Sequence, residues 1–153
     1  NENAQIQFAM LEIGGWDTHK SQVSRLKREF KHLDDGLVAL KTGLGDAWQG
    51  TLVIITSEFG RTVRQNGTAG TDHGTGGTMF LAGGAINGGQ IVGYWPGIGP
   101  SELLEERDLM PTSNTFSWMS TAISQHLQLD KQQQAIFPDH SHYENRLIKK
   151  YQS

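Results

Sequence analysis

Apolar residues return at Val23, Leu26, Phe30, Leu33, Leu37, Leu40 and Leu44. Steps of three and four place them on one face of a helix. Lys20, Arg25, Lys27, Arg28, Lys31, Asp34 and Asp35 fall between them, as a solvated face or an anion-binding surface. Gly36 interrupts the pattern at a cost of about 1 kcal/mol relative to alanine, and marks a place for a bend. Ahead of this helix, Ile6–Ile13 reads as a strand. Behind it, Leu52-Val53-Ile54-Ile55-Thr56 is a continuous β-branched run, as in a central strand covered on both faces. Strand, amphipathic helix and strand predict a right-handed βαβ unit, with the two strands parallel neighbours. Thr78–Ala82 reads as a third strand. Ala85-Ile86 and Gln90–Val92 flank Asn87-Gly88-Gly89 as an edge hairpin. Phe116, Met119, Ile123 and Leu127 mark a helix capped by Thr112 or Ser113. Pro138 closes any helix around 132–137, and Tyr143–Tyr151 reads as a short final helix. The expected fold class is α/β, a mainly parallel sheet covered by helices with a small edge hairpin.

The 153 residues suit a single domain spanning 1–153. The chain opens on Asn1 and enters a core-like strand within a few residues, so it reads as a piece of something longer. Thirteen Lys+Arg against sixteen Asp+Glu leave a net charge of −3. That balance does not suit wrapping nucleic acid by phosphate neutralisation. No apolar run approaches the roughly 18 residues of a membrane span. The absence of cysteine excludes disulfides, zinc fingers and a cysteine nucleophile. Nineteen glycines exceed the usual ~7%. Many gather between Gly60 and Gly77, and a loop of that length points to function.

In open α/β sheets, ligands bind beyond the carboxyl ends of the strands. Asp17 and His19 follow the first predicted strand and Glu58 follows the second. Asp72 and His73 lie in the glycine-rich loop that leaves it. Parallel strands would bring all five to one rim, where carboxylates and imidazoles form a donor set for Zn²⁺, Mn²⁺ or a similar divalent ion. Arg61 beside them offers a planar fork for a phosphate or sulfate oxygen pair. Each residue also has a plainer reading. Asp17 and Thr18 can cap the following helix, Glu58 can pair with Arg61 or Arg64, and Asp72-His73 can face solvent. Asp139-His140-Ser141-His142 is a second ligand-like cluster or a surface loop. His32 falls on the wet side of the long helix, and His126 lies beside the apolar stripe of the later one. Trp16 and Trp95 can wall a pocket or anchor a core. The chain has no G-x-S-x-G elbow and no G-x-x-x-x-G-K-[ST] phosphate loop.

Gly14-Gly15-Trp16-Asp17-Thr18-His19, Thr56-Ser57-Glu58-Phe59-Gly60-Arg61-Thr62, Gly70-Thr71-Asp72-His73-Gly74 and Gly93-Tyr94-Trp95-Pro96-Gly97 occur in this order. Together they resemble the bacterial domain-of-unknown-function family 1501, which is similar to the alkaline phosphatase and sulfatase superfamily. The resemblance runs over most of the chain. It implies a longer protein, exported to the periplasm by a twin-arginine signal, of which this chain is the C-terminal half. It also implies an alkaline-phosphatase-like fold and a metal-dependent hydrolase acting on a phosphate or sulfate ester with Zn or a similar divalent ion. Asp17 and His19 match the first ligand group, and His73 with Asp72 matches the last. Glu58 stands where the superfamily has Asp followed by His, and Phe59 replaces that imidazole. Arg61 would contact the oxyanion. The nucleophile belongs to the missing N-terminal half, so the fragment alone is expected to lack turnover. A sheet edge exposed by the missing half invites a homodimer. The alternative is a non-catalytic module that binds a ligand or partner in the cell envelope, and a third reading is a purely structural module.

Overall fold

The computed structural model describes residues 8–129, 137 and 142–149. The periodic segment forms helix α1 (Gln22–Leu44), which runs through Gly36 without a break. Ser21 at its start adopts a left-handed conformation and makes no side-chain cap. The glycine-rich loop supplies the cap from its backbone: Ser21 N donates to the Thr68 carbonyl at 3.1 Å and Gln22 N to that of Ala69 at 2.8 Å. The first amides of a helix lack internal acceptors, so this contact ties the start of α1 to the loop. Lys31 and Asp35 form a 2.8 Å pair one turn apart along its wet side. Its apolar stripe is only lightly covered: Val23 is 80% exposed and Phe30 50%. A 3-10 segment, Gly45–Gly50, turns the chain into strand β1 (Val53–Ile55).

Short strands β2 (Gly60–Arg61) and β3 (His73–Gly74) pair antiparallel, with Gly60 opposite Gly74 and Arg61 opposite His73. Strand β4 (Phe80–Ala82) returns antiparallel to β1, with Val53 opposite Ala82, Ile54 opposite Leu81 and Ile55 opposite Phe80. Helix α2 (Thr115–Leu127) follows. Its cap is Asn114, one residue beyond Ser113, whose side chain accepts from the amides of Phe116 and Ser117.

These pairings overturn the expected α/β fold with a mainly parallel, helix-covered, alkaline-phosphatase-like sheet. Among the described residues there are two helices and two antiparallel strand pairs, and no parallel ladder. Residues 8–13 of the first predicted strand carry no strand pairing, and Met10 and Leu11 are more than four-fifths exposed. Residues 6 and 7 lie outside the described residues. The physical reason is that a continuous apolar run encodes burial but not strand direction. The stretch from Thr56 to Met79 is long enough to reverse the chain, so β4 meets β1 head to tail.

The edge hairpin is also corrected. Ile86 bridges Ile148, Asn87 N donates to the Leu147 carbonyl and Lys149 N to that of Ala85, so the chain near the C-terminus takes the place expected for Gln90–Val92. Residues 143–149 accordingly carry no helix, and residues 150 and 151 of the expected final helix lie outside the described residues. The helix expected around 132–137 falls almost wholly outside the described residues.

The core sits between α2 and the β1–β4 ladder. Ala85, Ile86, Ala122, Leu147 and Ile148 form its centre, with Leu52, Ile54, Leu81, Val92 and Trp118 packed around it. Helix α2 turns its small face inward: Ser117, Ser120, Thr121, Ala122 and Ser124 are buried, whereas Phe116 and Leu127 of the apolar stripe are about half exposed. The inward hydroxyls and amides serve the extended strip beside them. Thr121 Oγ1 accepts from Tyr143 N, and Gln125 Oε1 accepts from Leu147 N and Ile148 N. Buried backbone donors need partners, and that requirement explains a polar inner face on this helix.

Candidate metal centre

Two arms of the chain build the site on the side of the molecule marked by the start of α1. The first arm is the stretch from Gly15 to His19. Trp16 packs edge-on against Phe30 of α1 with ring centroids 5.1 Å apart, and Thr18 is buried. Gly15 has φ +98, and a Cβ there would press within 3.0–3.2 Å of the Glu29 carboxyl group. Buried Glu29 in turn accepts twice from Arg28, at 2.8 and 2.6 Å. The second arm is the β2–β3 pair with its connecting loop. Thr71 N donates to the Thr18 carbonyl at 3.2 Å and joins the arms directly. Gly70 fits so closely under His19 that a Cβ would stand 2.1 Å from the His19 carbonyl carbon. Only the absence of a side chain permits that approach.

This joint brings three nitrogens onto one oxygen. Asp17 Oδ1 lies 3.0 Å from His19 Nε2 and 3.0 Å from His73 Nε2, and it accepts a hydrogen bond from Arg61 Nη2. One ligand atom from each of Asp17, His19 and His73 falls within 4.8 Å of the others. The two imidazoles stack with centroids 4.9 Å apart. Phe59 stacks on the His73 ring, with centroids 4.0 Å apart and an interplanar angle of 13°. The hydrogen bond from His73 is the largest influence on the Asp17 carboxyl group; desolvation opposes it, and Arg61 and His19 reinforce it, so Asp17 ionises below its usual range.

Arg61, the residue expected at an oxyanion, is bonded to both arms. Nη1 donates to the Thr71 carbonyl at 2.7 Å, and Nη2 donates to the Trp16 carbonyl at 3.1 Å as well as to Asp17. Its guanidinium spans both arms and also stands over the Phe59 ring at 5.2 Å. Arg61 is a clamp that holds the arms together.

Asp72 stands one step outside the triad. Its Oδ1 lies 3.0 Å from His19 Nδ1, the nitrogen turned away from Asp17. The same oxygen accepts from Asn66 Nδ2 at 3.0 Å. The Asn66 bond first, and then the His19 bond, lower the ionisation range of Asp72 against desolvation. Glu58 is exposed and takes no part in the group. The structure therefore gathers Asp17, His19 and His73, sets Asp72 behind His19, and leaves Glu58 aside.

The remaining candidates fall elsewhere. His32 lies 3.5 Å from Glu29 on α1. Burial holds His126 below the ordinary histidine range. His142 faces Ser120 of α2 at 3.0 Å, whereas residues 139–141 lie outside the described residues. Trp16 anchors the first arm and Trp95 is exposed. Two residues carry weight that the sequence reading passed over. Asn66 binds both arms, and Phe59 braces His73 by stacking, where a missing ligand was the only meaning attached to it. Asn66-Gly67 is a turn signal, and asparagine bonds the backbone two residues on, as it does here to Thr68 N at 3.0 Å.

No curated protein and no solved structure matches the chain. The model of the family described as "Protein of unknown function (DUF1501)" matches residues 2–137, which include both arms and the whole triad. The chain belongs to the DUF1501 family.

Proposed function

We propose that Asp17, His19 and His73 hold a divalent cation, and that the protein is a metal-dependent hydrolase of the alkaline phosphatase and sulfatase type, acting on a phosphate or sulfate ester. The observation that carries this reading is the convergence of one carboxylate and two imidazoles, from stretches 56 residues apart, to within 4.8 Å. Such a mixed oxygen and nitrogen set suits Zn²⁺ or a similar ion and leaves positions open for a ligand. In that place a divalent cation supplies Lewis-acid stabilisation of charge developing on an ester oxygen.

The chain's own groups have distinct parts in this reading. Asp17 contributes the anionic donor, its ionised form favoured by the hydrogen bonds from His73 and Arg61. His73 is braced by the Phe59 ring, so its Nε2 keeps facing Asp17. Arg61 restrains Asp17 and prevents the two arms from separating. No residue in this chain is assigned as nucleophile.

One observation favours a second reading, a non-catalytic module that binds a ligand or partner in the cell envelope. The Arg61 guanidinium, expected at the ester oxygens, is already engaged by Trp16, Thr71 and Asp17. Elemental analysis and an ester panel separate the two. The hydrolase reading expects near-stoichiometric zinc or manganese that falls in His19→Ala and His73→Ala, together with turnover of phosphate or sulfate esters by the full-length metal-loaded protein. Metal without turnover supports the binding module, and absence of metal removes the first reading.

A further inference from the structure

Asn66 makes more polar contacts than any plain turn requires. Its Oδ1 accepts from Thr68 N at 3.0 Å, Thr68 Oγ1 at 2.9 Å and Gly70 N at 3.0 Å. Its Nδ2 donates to the His19 carbonyl at 3.0 Å and to Asp72 Oδ1 at 3.0 Å. The acceptor side closes the loop, and the donor side addresses His19 and the carboxylate behind it. Thr68 Oγ1 adds a further bond to the His19 carbonyl, at 2.6 Å. His19 is thus held by its backbone from one side and by its Nδ1 from another.

We propose that Asn66 and Asp72 form a positioning pair for His19. Asn66 aims Asp72 Oδ1 at His19 Nδ1, and Asp72 keeps the ring turned so that Nε2 points at Asp17 and His73. This inference rests on the reading of the triad as a cation site and assigns a role that the triad itself does not contain. A histidine ligand whose second nitrogen is bound to a carboxylate is fixed in ring orientation and tautomer, and loss of that partner typically weakens metal binding roughly 10- to 100-fold. A carboxylate with one hydrogen bond to the ring can swing; the second bond from Asn66 removes that freedom. Asp72 therefore belongs to the support of the site, not to the donors.

The test measures zinc affinity by calorimetry at one fixed pH, and the His19 ring nitrogens of the metal-free protein by long-range proton–nitrogen NMR. Asp72→Ala and Asn66→Ala should each weaken zinc binding by about 10- to 100-fold. Because the two act as one unit, the double variant should be little worse than Asp72→Ala, which a general loosening of the loop would not produce. Asp72→Asn keeps the side-chain shape and an acceptor oxygen, and should recover part of the loss. In the spectra, His19 Nδ1 should carry a proton held in a hydrogen bond to Asp72 in the parent protein, and that hydrogen-bond signature should be lost in Asp72→Ala. Zinc affinity within twofold of the parent in both single variants, or losses that multiply in the double variant, would overturn the pair. If the parent protein binds no zinc, the cation reading fails, and the spectra alone decide the pair: an unchanged His19 Nδ1 signal in Asp72→Ala refutes it.

Discussion

His73 Nε2 and Asp17 Oδ1 stand 3.0 Å apart although 56 residues separate them in the chain. Neither residue lies in a regular element long enough to dictate its own position. Asp17 sits in an irregular arm and His73 begins a two-residue strand. Their meeting is produced by the joint between the arms, in which Arg61, Thr71 and Asn66 each bind the opposite arm. The site therefore depends on backbone docking as much as on its ligating side chains.

Arg61→Lys should damage that joint almost as much as Arg61→Ala. A lysine keeps the charge, but its ammonium cannot present the rigid fork that reaches the carbonyls of Trp16 and Thr71 and the Asp17 carboxylate together. Leaving part-buried carbonyls without donors costs about 1–3 kcal/mol. Chemical denaturation should show a lower midpoint for both variants with little change in slope. A lysine variant as stable as the parent would show that the clamp is not structural.

Gly70→Ala should unseat His19. The added methyl group would stand 2.1 Å from the His19 carbonyl carbon and 2.5 Å from Lys20 N. Both are backbone atoms, which cannot rotate aside as a side chain would. The expected result is a destabilisation of about 1–3 kcal/mol or more and loss of zinc binding. Thermal melting with and without zinc reads both: the parent melts higher with zinc, as ligand binding to the folded state requires, and the variant does not.

Glu29 should make stability depend on pH in the acid range. The hydrogen bond from Arg28 chiefly, with His32 adding to it against desolvation, lowers its ionisation below the usual 4.5. The unfolded chain then binds the proton more readily, so folding stability rises with pH through this interval. The contribution is complete above about 4.5 and fades as pH falls through the lower folded value. Glu29→Gln should flatten this limb of the curve measured by denaturation between roughly pH 2 and 6. An unchanged slope would remove the Arg28–Glu29 pair from the account.

Local chemistry was readable at several places for physical reasons confined to neighbouring residues. The apolar steps from Val23 to Leu44 specify a helix because a 3.6-residue period needs only its own segment. The Leu52–Thr56 and Thr78–Ala82 runs marked strands for the same reason. The cap of α2 was missed by one residue, since Thr112, Ser113 and Asn114 all carry suitable oxygens and only the backbone decides which is used. The exposed stripe of α1 shows the limit: periodicity names the face suited to burial, but not what covers it.

Residue order alone established which groups were available to the site: Asp17 and His19 after a Gly-Gly-Trp turn, and Asp72 and His73 inside a glycine-rich loop. Strand direction, the crossing of the arms and the division of labour within the site came only with the folded chain. The antiparallel pairing of β1 with β4 arises from how a long loop returns, which no short-range pattern encodes. Asp72 behind His19, Glu58 apart and Arg61 as a clamp are likewise outcomes of long-range contact. Hydrogen bonds between distant residues depend on where the backbone has been carried, and that is a property of the whole packed molecule.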